Sequence, residues 1–198
     1  MVKAVIFDFG GVLAEEGFRE GLKAIAEKNR RDPEEFFRIA ADLIYETGYV
    51  TGAADETVYL DRLRKETGTR ESNGMIRDEI LRRFVLRPDV IGYVEELRAE
   101  DLVTAILSDQ TDWLDELNEK DPFFHHFDYV FNSFRLGKGK RDPSVFADVC
   151  LKMGLKPEET VFVDDNIGNV KRASAEGLNA VLFTELGELK TEIKKYLT

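Results

Sequence analysis

The sequence predicts an α/β protein: a doubly wound parallel sheet of five strands, interrupted after its first strand by a block of four helices. Three observations carry this. Five short runs, 2–7, 102–107, 128–132, 160–163 and 179–183, are apolar almost without a break. That is the pattern of strands covered on both faces, not the alternation of a half-exposed sheet. Helical patterns alternate with the later strands, which implies right-handed β-α-β crossovers. Residues 15–86 contain helical patterns only.

Each element has its own justification. The helix 88–100 puts Val90, Ile91, Val94 and Leu97 on one stripe, with Pro88 near its start. Asp142-Pro143 opens the next helix as N-cap and first residue, and Gly154 closes it. A helix over 169–176 is closed by Gly177, and the tail 185–197 carries Leu186, Leu189, Ile193 and Leu197 at helical spacing. Within 15–86 the helices fall near 16–29, 33–47, 53–67 and 73–86, punctuated by glycines such as Gly48, Gly52 and Gly68. The expected organisation is a Rossmann-like core of 1–14 and 87–198, with 15–86 as a helical cap inserted over one end of the sheet.

Composition bounds the function. Of 198 residues, 43% are hydrophobic and 34% charged, which fits a globular chain. The net charge of −11 disfavours nucleic acid as a partner. An anionic substrate stays possible, because a metal ion and a few local cations reverse the potential inside one pocket. No apolar run is long enough to cross a membrane, and the chain enters its first strand without a leader pattern. The one cysteine, Cys150, lies in an apolar helical stripe, so it reads as a buried thiol in a reducing cytoplasm. The expectation is a cytoplasmic protein, monomer or homodimer, acting on a small molecule.

In an open parallel sheet, ligands bind beyond the carboxyl ends of the strands. Strand one ends in Asp8-Phe9-Gly10-Gly11, where a carboxylate precedes two glycines that let the backbone turn and approach a ligand. Strand two ends in Ser108-Asp109, and strand four in Asp164-Asp165 with Asn166 and Asn169 following. After strand three comes the basic loop Lys138-Gly139-Lys140-Arg141-Asp142. Taken singly, each has an ordinary structural reading: a turn aspartate, a helix cap, a solvated loop. Taken together they bring several acids and a lysine to one edge. Such acids repel one another unless a cation joins them, and a hard divalent ion held by oxygens, Mg²⁺, meets that need. A carboxylate there is a competent covalent nucleophile for phosphoryl transfer.

Asp8-Phe9-Gly10-Gly11-Val12, Ser108, Lys140-Arg141-Asp142-Pro143 and Asp164-Asp165 through Asn169 resemble the four ordered motifs of the haloacid dehalogenase superfamily. The helical block resembles the cap of its first subclass. The resemblance implies that Asp8 is the nucleophile and a Mg²⁺ ligand, and that Gly10 offers its carbonyl to the metal. It implies that Asp165 is a ligand, with Asp164 a ligand or its support. Ser108, Asp109, Lys140 and Gly11 would contact the phosphoryl group of a small phosphorylated metabolite, sugar phosphates included. One position departs from the pattern: most phosphatases of the superfamily carry an acid two residues after the nucleophile, where this chain has Gly10. The proton must then come from the cap, Asp109, substrate or water. A 2-haloacid dehalogenase and a catalytically weak ligand-binding protein are the alternative readings. Glu15 and Glu16 fall at the expected hinge. Glu46-Thr47-Gly48-Tyr49 resembles a cap element that faces the active site, although Tyr49 also reads as a packing aromatic. His125 and His126 precede strand three, at the wrong end of the sheet, and read as structural.

Overall fold

The computed structural model describes residues 1–197; Thr198, the last residue of the expected core segment, lies outside them. Strand β1 (Ala4–Phe7) is followed by helices α1 (Gly17–Lys28), α2 (Pro33–Glu46), α3 (Glu56–Thr67) and α4 (Asn73–Leu81), and then by α5 (Pro88–Ala99). The chain continues through β2 (Val103–Ser108), α6 (Trp113–Lys120), β3 (Tyr129–Asn132), α7 (Ser133–Leu136) and α8 (Ser144–Met153). It closes with β4 (Thr160–Asp164), α9 (Ile167–Ala175), β5 (Asn179–Leu182) and α10 (Leu186–Leu197). Among the described residues, no helix is long and apolar enough to cross a membrane.

The five strands form one sheet in the order β3-β2-β1-β4-β5, every neighbouring pair parallel. Alternation along β1 explains why its run is apolar throughout. Val5 and Phe7 face a cluster completed by Val94 and Leu97 of α5 and by Leu189 and Ile193 of α10. Ala4 and Ile6 face the other side, against Val145, Phe146 and Val149 of α8. Both faces are covered, so every position is buried whichever way it points. The register sets Phe7 opposite Ile106 and Val163. Residues just past these positions, Asp8, Ser108 and Asp164 among them, therefore leave the sheet at one edge.

Cys150 is buried in the α8 stripe, its thiol 3.7 Å from the Thr160 hydroxyl, and burial pushes its pKa up. Helix α8 starts one residue later than its sequence suggests, because Pro143 precedes the first turn. Asp142 keeps its capping task, accepting the Ser144 N–H at 3.0 Å. His126 lies beside Glu95 at 2.8 Å, at the amino-terminal side of β3 and away from Asp8.

Helices α1–α4 build a core of their own, with Leu22, Ile25, Leu43, Tyr59, Leu63 and Ile76 among its members. Asp32, Asp55 and Ser72 each accept an N–H of the following first turn, and the Asp55 cap starts α3 at Glu56, three residues later than the expected 53. Trp113 of α6 belongs to this same core, and its indole donates to Glu56 at 3.2 Å. The Ser133 hydroxyl donates to the Val50 carbonyl at 2.7 Å, which ties the helices to the end of β3. The two connecting strands pair with each other. Glu15 N–H donates to Val85 and Arg87 N–H to Leu13, both at 2.9 Å, around an antiparallel Ala14–Leu86 bridge. The fourth helix therefore ends at Leu81, not at residue 86. Residues 84–87 are drawn into the extended pairing, and Pro88 disfavours helix in the residue before it.

Glu79 sits buried in this helical block beneath three cations. Burial alone raises its pKa, but hydrogen bonds from Lys28, Arg82 and Arg83 outweigh burial and hold it at about 2, against an ordinary 4.5. A carboxyl whose pKa is depressed by folding contributes stability above its ordinary value and loses it as pH falls toward the folded value. Urea midpoints measured from neutrality down to about pH 2 should therefore show the wild type losing more stability than Glu79→Gln. The excess loss should be on the order of 1–2 kcal/mol, since the exposed heads of Lys28 and Arg82 are screened. Parallel pH curves would remove this account of the cluster.

Candidate active site

The sheet brings the predicted strand-end residues together. Asp8 follows β1, Ser108 ends β2 and Asp164 ends β4, all buried. Lys140 reaches them from the loop before α8 and is only 1% exposed. Its ammonium lies 2.8 Å from Asp8 Oδ1 and 2.7 Å from Asp164 Oδ2. Burial alone would lower the Lys140 pKa, but Asp164 and Asp8 outweigh it, so the group stays charged. Burial raises the Asp8 carboxyl, with Lys140 opposing and Asp164 adding to the rise. Asp165 is likewise raised by burial and then by Asp164.

One ammonium does not balance three carboxylates. Asp8, Asp164 and Asp165 each present an oxygen, and these oxygens all lie within 4.8 Å of one another. An all-oxygen trio with excess negative charge fits a hard divalent cation, which needs a few carboxylates and completes its shell with water and ligand oxygens. Gly11 makes room for Asp165. It has a φ of +81°, and a Cβ there would stand 2.1 Å from Asp165 Oδ2, so only glycine fits.

Two residues expected to contact substrate have partners within the protein. The Gly11 amide is already donated to the Ala14 carbonyl at 2.8 Å, and its carbonyl accepts from Arg87, also at 2.8 Å. Gly11 thus holds the turn after β1. The Asp109 carboxylate accepts the Lys140 backbone N–H at 2.8 Å and the Tyr45 hydroxyl. With those partners the Asp109 carboxylate positions the lysine loop. Ser108 differs: among the described residues its hydroxyl has no hydrogen-bond partner, and it lines the cavity. The Thr111 hydroxyl accepts the Trp113 N–H at 3.3 Å, at the start of α6.

Asn169, at the end of the fourth motif, and several residues not singled out by sequence complete the wall. Asn169 donates to both oxygens of Asp164, at 3.1 and 3.0 Å, and accepts from Arg172, whose Nε donates to the Lys140 carbonyl at 2.7 Å. Arg172 thereby locks the lysine loop to α9. Its signal in the sequence was weak, three residues beyond Asn169 on a helix. From the helical block, Phe18, Phe37, Ile44 and Tyr45 face the cavity, with the Arg141 guanidinium 3.7 Å over the Tyr45 ring. The element expected there, Glu46 to Tyr49, points elsewhere. Glu46 is exposed, and Tyr49 is buried between Tyr59, Trp113 and Phe134 with its hydroxyl on Asp112. The cavity holds about 340 Å³, the volume of a small-metabolite site. Glu16 lies on its wall; burial raises its carboxyl, opposed by the Arg19 N–H that it caps.

The model of the haloacid dehalogenase-like hydrolases matches residues 2–177. The chain belongs to that family. It is a hydrolase by family, and its relatives include phosphatases. It is 28% identical to the phosphoserine phosphatase of Thermus thermophilus over 203 residues, covering 90% of this chain and 80% of that one. It is 27% identical over 120 residues to bifunctional epoxide hydrolase 2 of Rattus norvegicus, and there it spans 21% of the longer protein and 57% of its own length. A HAD family enzyme from Bacteroides thetaiotaomicron, solved in complex with magnesium and inorganic phosphate, superposes with a TM-score of 0.75 at 25% identity, over 96% of this hydrolase and 99% of that chain.

Proposed function

We propose that this hydrolase is a Mg²⁺-dependent phosphatase acting on a small phosphate monoester, sugar phosphates among the candidates. The observation that carries the reading is the pairing of a buried ammonium with Asp8 and Asp164 beside a third carboxylate, at the mouth of one cavity. That arrangement suits a nucleophile, a phosphoryl-charge partner and a cation site at once. The magnesium and inorganic phosphate in the Bacteroides relative and the activity of the Thermus relative point the same way.

In this reading, Asp8, Asp164, Asp165 and the Gly10 carbonyl hold the metal, which supplies positive charge to the phosphoryl oxygens. Asp8 attacks phosphorus, displaces the alcohol oxygen and becomes an aspartyl-phosphate, which water then hydrolyses. Lys140 keeps Asp8 aimed and offsets charge on the transferring group. Ser108 donates to a phosphoryl oxygen. Residues 15–86 act as the cap, and its aromatic face selects the leaving group. The core is then 1–14 together with the chain from residue 87 onward.

Metal removal tests the proposal. Hydrolysis of p-nitrophenyl phosphate by the purified full chain should proceed with Mg²⁺, fall to background in EDTA and return when Mg²⁺ is restored. Turnover indifferent to EDTA would sink it, and chloride release from 2-chloropropionate under those conditions would point to the dehalogenase reading.

A further inference from the structure

Breaking a phosphate ester to an alcohol needs a proton on the departing oxygen, and hydrolysing the phosphoenzyme needs a base for water. Most proton-bearing groups on the cavity wall are committed elsewhere. Lys140 is held between Asp8 and Asp164. Tyr45 donates to Asp109, which also accepts from the Lys140 amide.

Glu16 is different. Its Oε1 accepts the Arg19 N–H at 3.1 Å, which anchors the side chain at the start of α1. Its Oε2 has no hydrogen-bond partner among the described residues. That oxygen stands 3.4 Å from the point a Gly10 Cβ would occupy, and Phe84 Cε1 stands 3.3 Å from the same point on another side. The space in front of the residue two beyond Asp8 is thus filled by a carboxylate delivered from a different segment. Glu16 is outside the Asp8–Asp164–Asp165 trio, so it is not one of the clustered cation-binding carboxylates.

We propose that Glu16 is the general acid and base of the reaction, its free carboxyl oxygen reaching the space that Gly10 leaves open. This rests on the phosphatase reading above. As Asp8 oxygen bonds to phosphorus and the bond from phosphorus to the alcohol oxygen breaks, the Glu16 carboxyl proton passes to that oxygen and the alcohol leaves. The Glu16 carboxylate then takes a proton from water. The water oxygen bonds to phosphorus, the bond from phosphorus to Asp8 breaks, and inorganic phosphate departs with Asp8 and protonated Glu16 restored.

The test is kcat/KM for a series of aryl phosphates from p-nitrophenyl phosphate to phenyl phosphate, in wild type and Glu16→Gln. The amide oxygen of Gln still caps α1, so a change in fold is not expected, and thermal unfolding checks it. Loss of a general acid should cost about 10²–10⁴-fold on phenyl phosphate and much less on p-nitrophenyl phosphate, whose leaving group needs no proton. Glu16→Gln should also release one burst of p-nitrophenol per enzyme and then stall, with phosphate trapped on Asp8. An equal loss across the series, or none, overturns the proposal. If the wild type turns over and Asp8→Asn does not, that outcome leaves the phosphatase reading standing and removes Glu16 alone. No Mg²⁺-dependent turnover of any aryl phosphate by wild type removes both.

Discussion

Asp8→Asn should abolish turnover, by a factor on the order of 10⁴–10⁶, the range seen when a member of a catalytic unit is removed. The substitution is nearly isosteric. The amide oxygen can still accept the Phe9 N–H, which Asp8 Oδ1 does now at 2.7 Å. Lys140 keeps Asp164 as its partner at 2.7 Å. The fold should therefore hold while the nucleophile is gone, because a carboxamide oxygen does not form a stable phosphoryl ester. Steady-state hydrolysis of p-nitrophenyl phosphate, with circular dichroism as a check on folding, measures both sides of this. A variant retaining a tenth or more of wild-type turnover would mean that phosphorus is attacked by something else.

Lys140→Met should have the largest effect on stability. Lys140 is 1% exposed and lies between two buried carboxylates. Methionine fills much of the same volume but leaves Asp8 and Asp164 buried without a counterion. Removing one partner of a buried ion pair costs about 3–5 kcal/mol, far more than an exposed pair such as Arg62–Glu66 contributes. Urea denaturation in EDTA should show that loss. An acid whose pKa is raised by folding, as that of Asp8 is by burial, destabilises the fold above its ordinary value, so lowering the pH below neutrality should narrow the deficit as the Asp8 carboxyl takes up a proton. Added Mg²⁺ should narrow it as well, since a divalent cation neutralises the same oxygens. An unchanged urea midpoint would mean that Asp8 and Asp164 do not need the lysine as a buried counterion.

Much of the fold and part of the site were legible in the amino-acid sequence because both follow from short-range rules. Continuous apolar runs mark strands buried on both faces, and parallel pairing then sends every strand's carboxyl end to one edge. Asp8, Ser108, Lys140, Asp164 and Asp165 could thus be brought together without knowing a single tertiary contact. The helices over 15–86 were equally plain, since their caps are local: Asp32, Asp55 and Ser72 each satisfy an N–H a few residues on.

What each of those side chains touches was decided only in three dimensions. The sequence left Asp109 and Gly11 as phosphate contacts; packing against Tyr45 and the pairing of Gly11 with Ala14 gave them other partners. Tyr45 meets Asp109 across 64 residues of chain, a contact set by which face of α2 the helical core turns outward. The end of the fourth helix was moved by the Ala14–Leu86 pairing, which no local pattern encodes. Glu16 belongs to the same class. It is one of two adjacent glutamates at a hinge, indistinguishable by composition, and the fold alone points Glu15 at Arg87 and Glu16 toward Gly10. Local sequence determines where strands end and helices begin, because those choices rest on neighbouring backbone groups. The proton-bearing groups that share a cavity are set by long-range packing, because they depend on how separate cores dock.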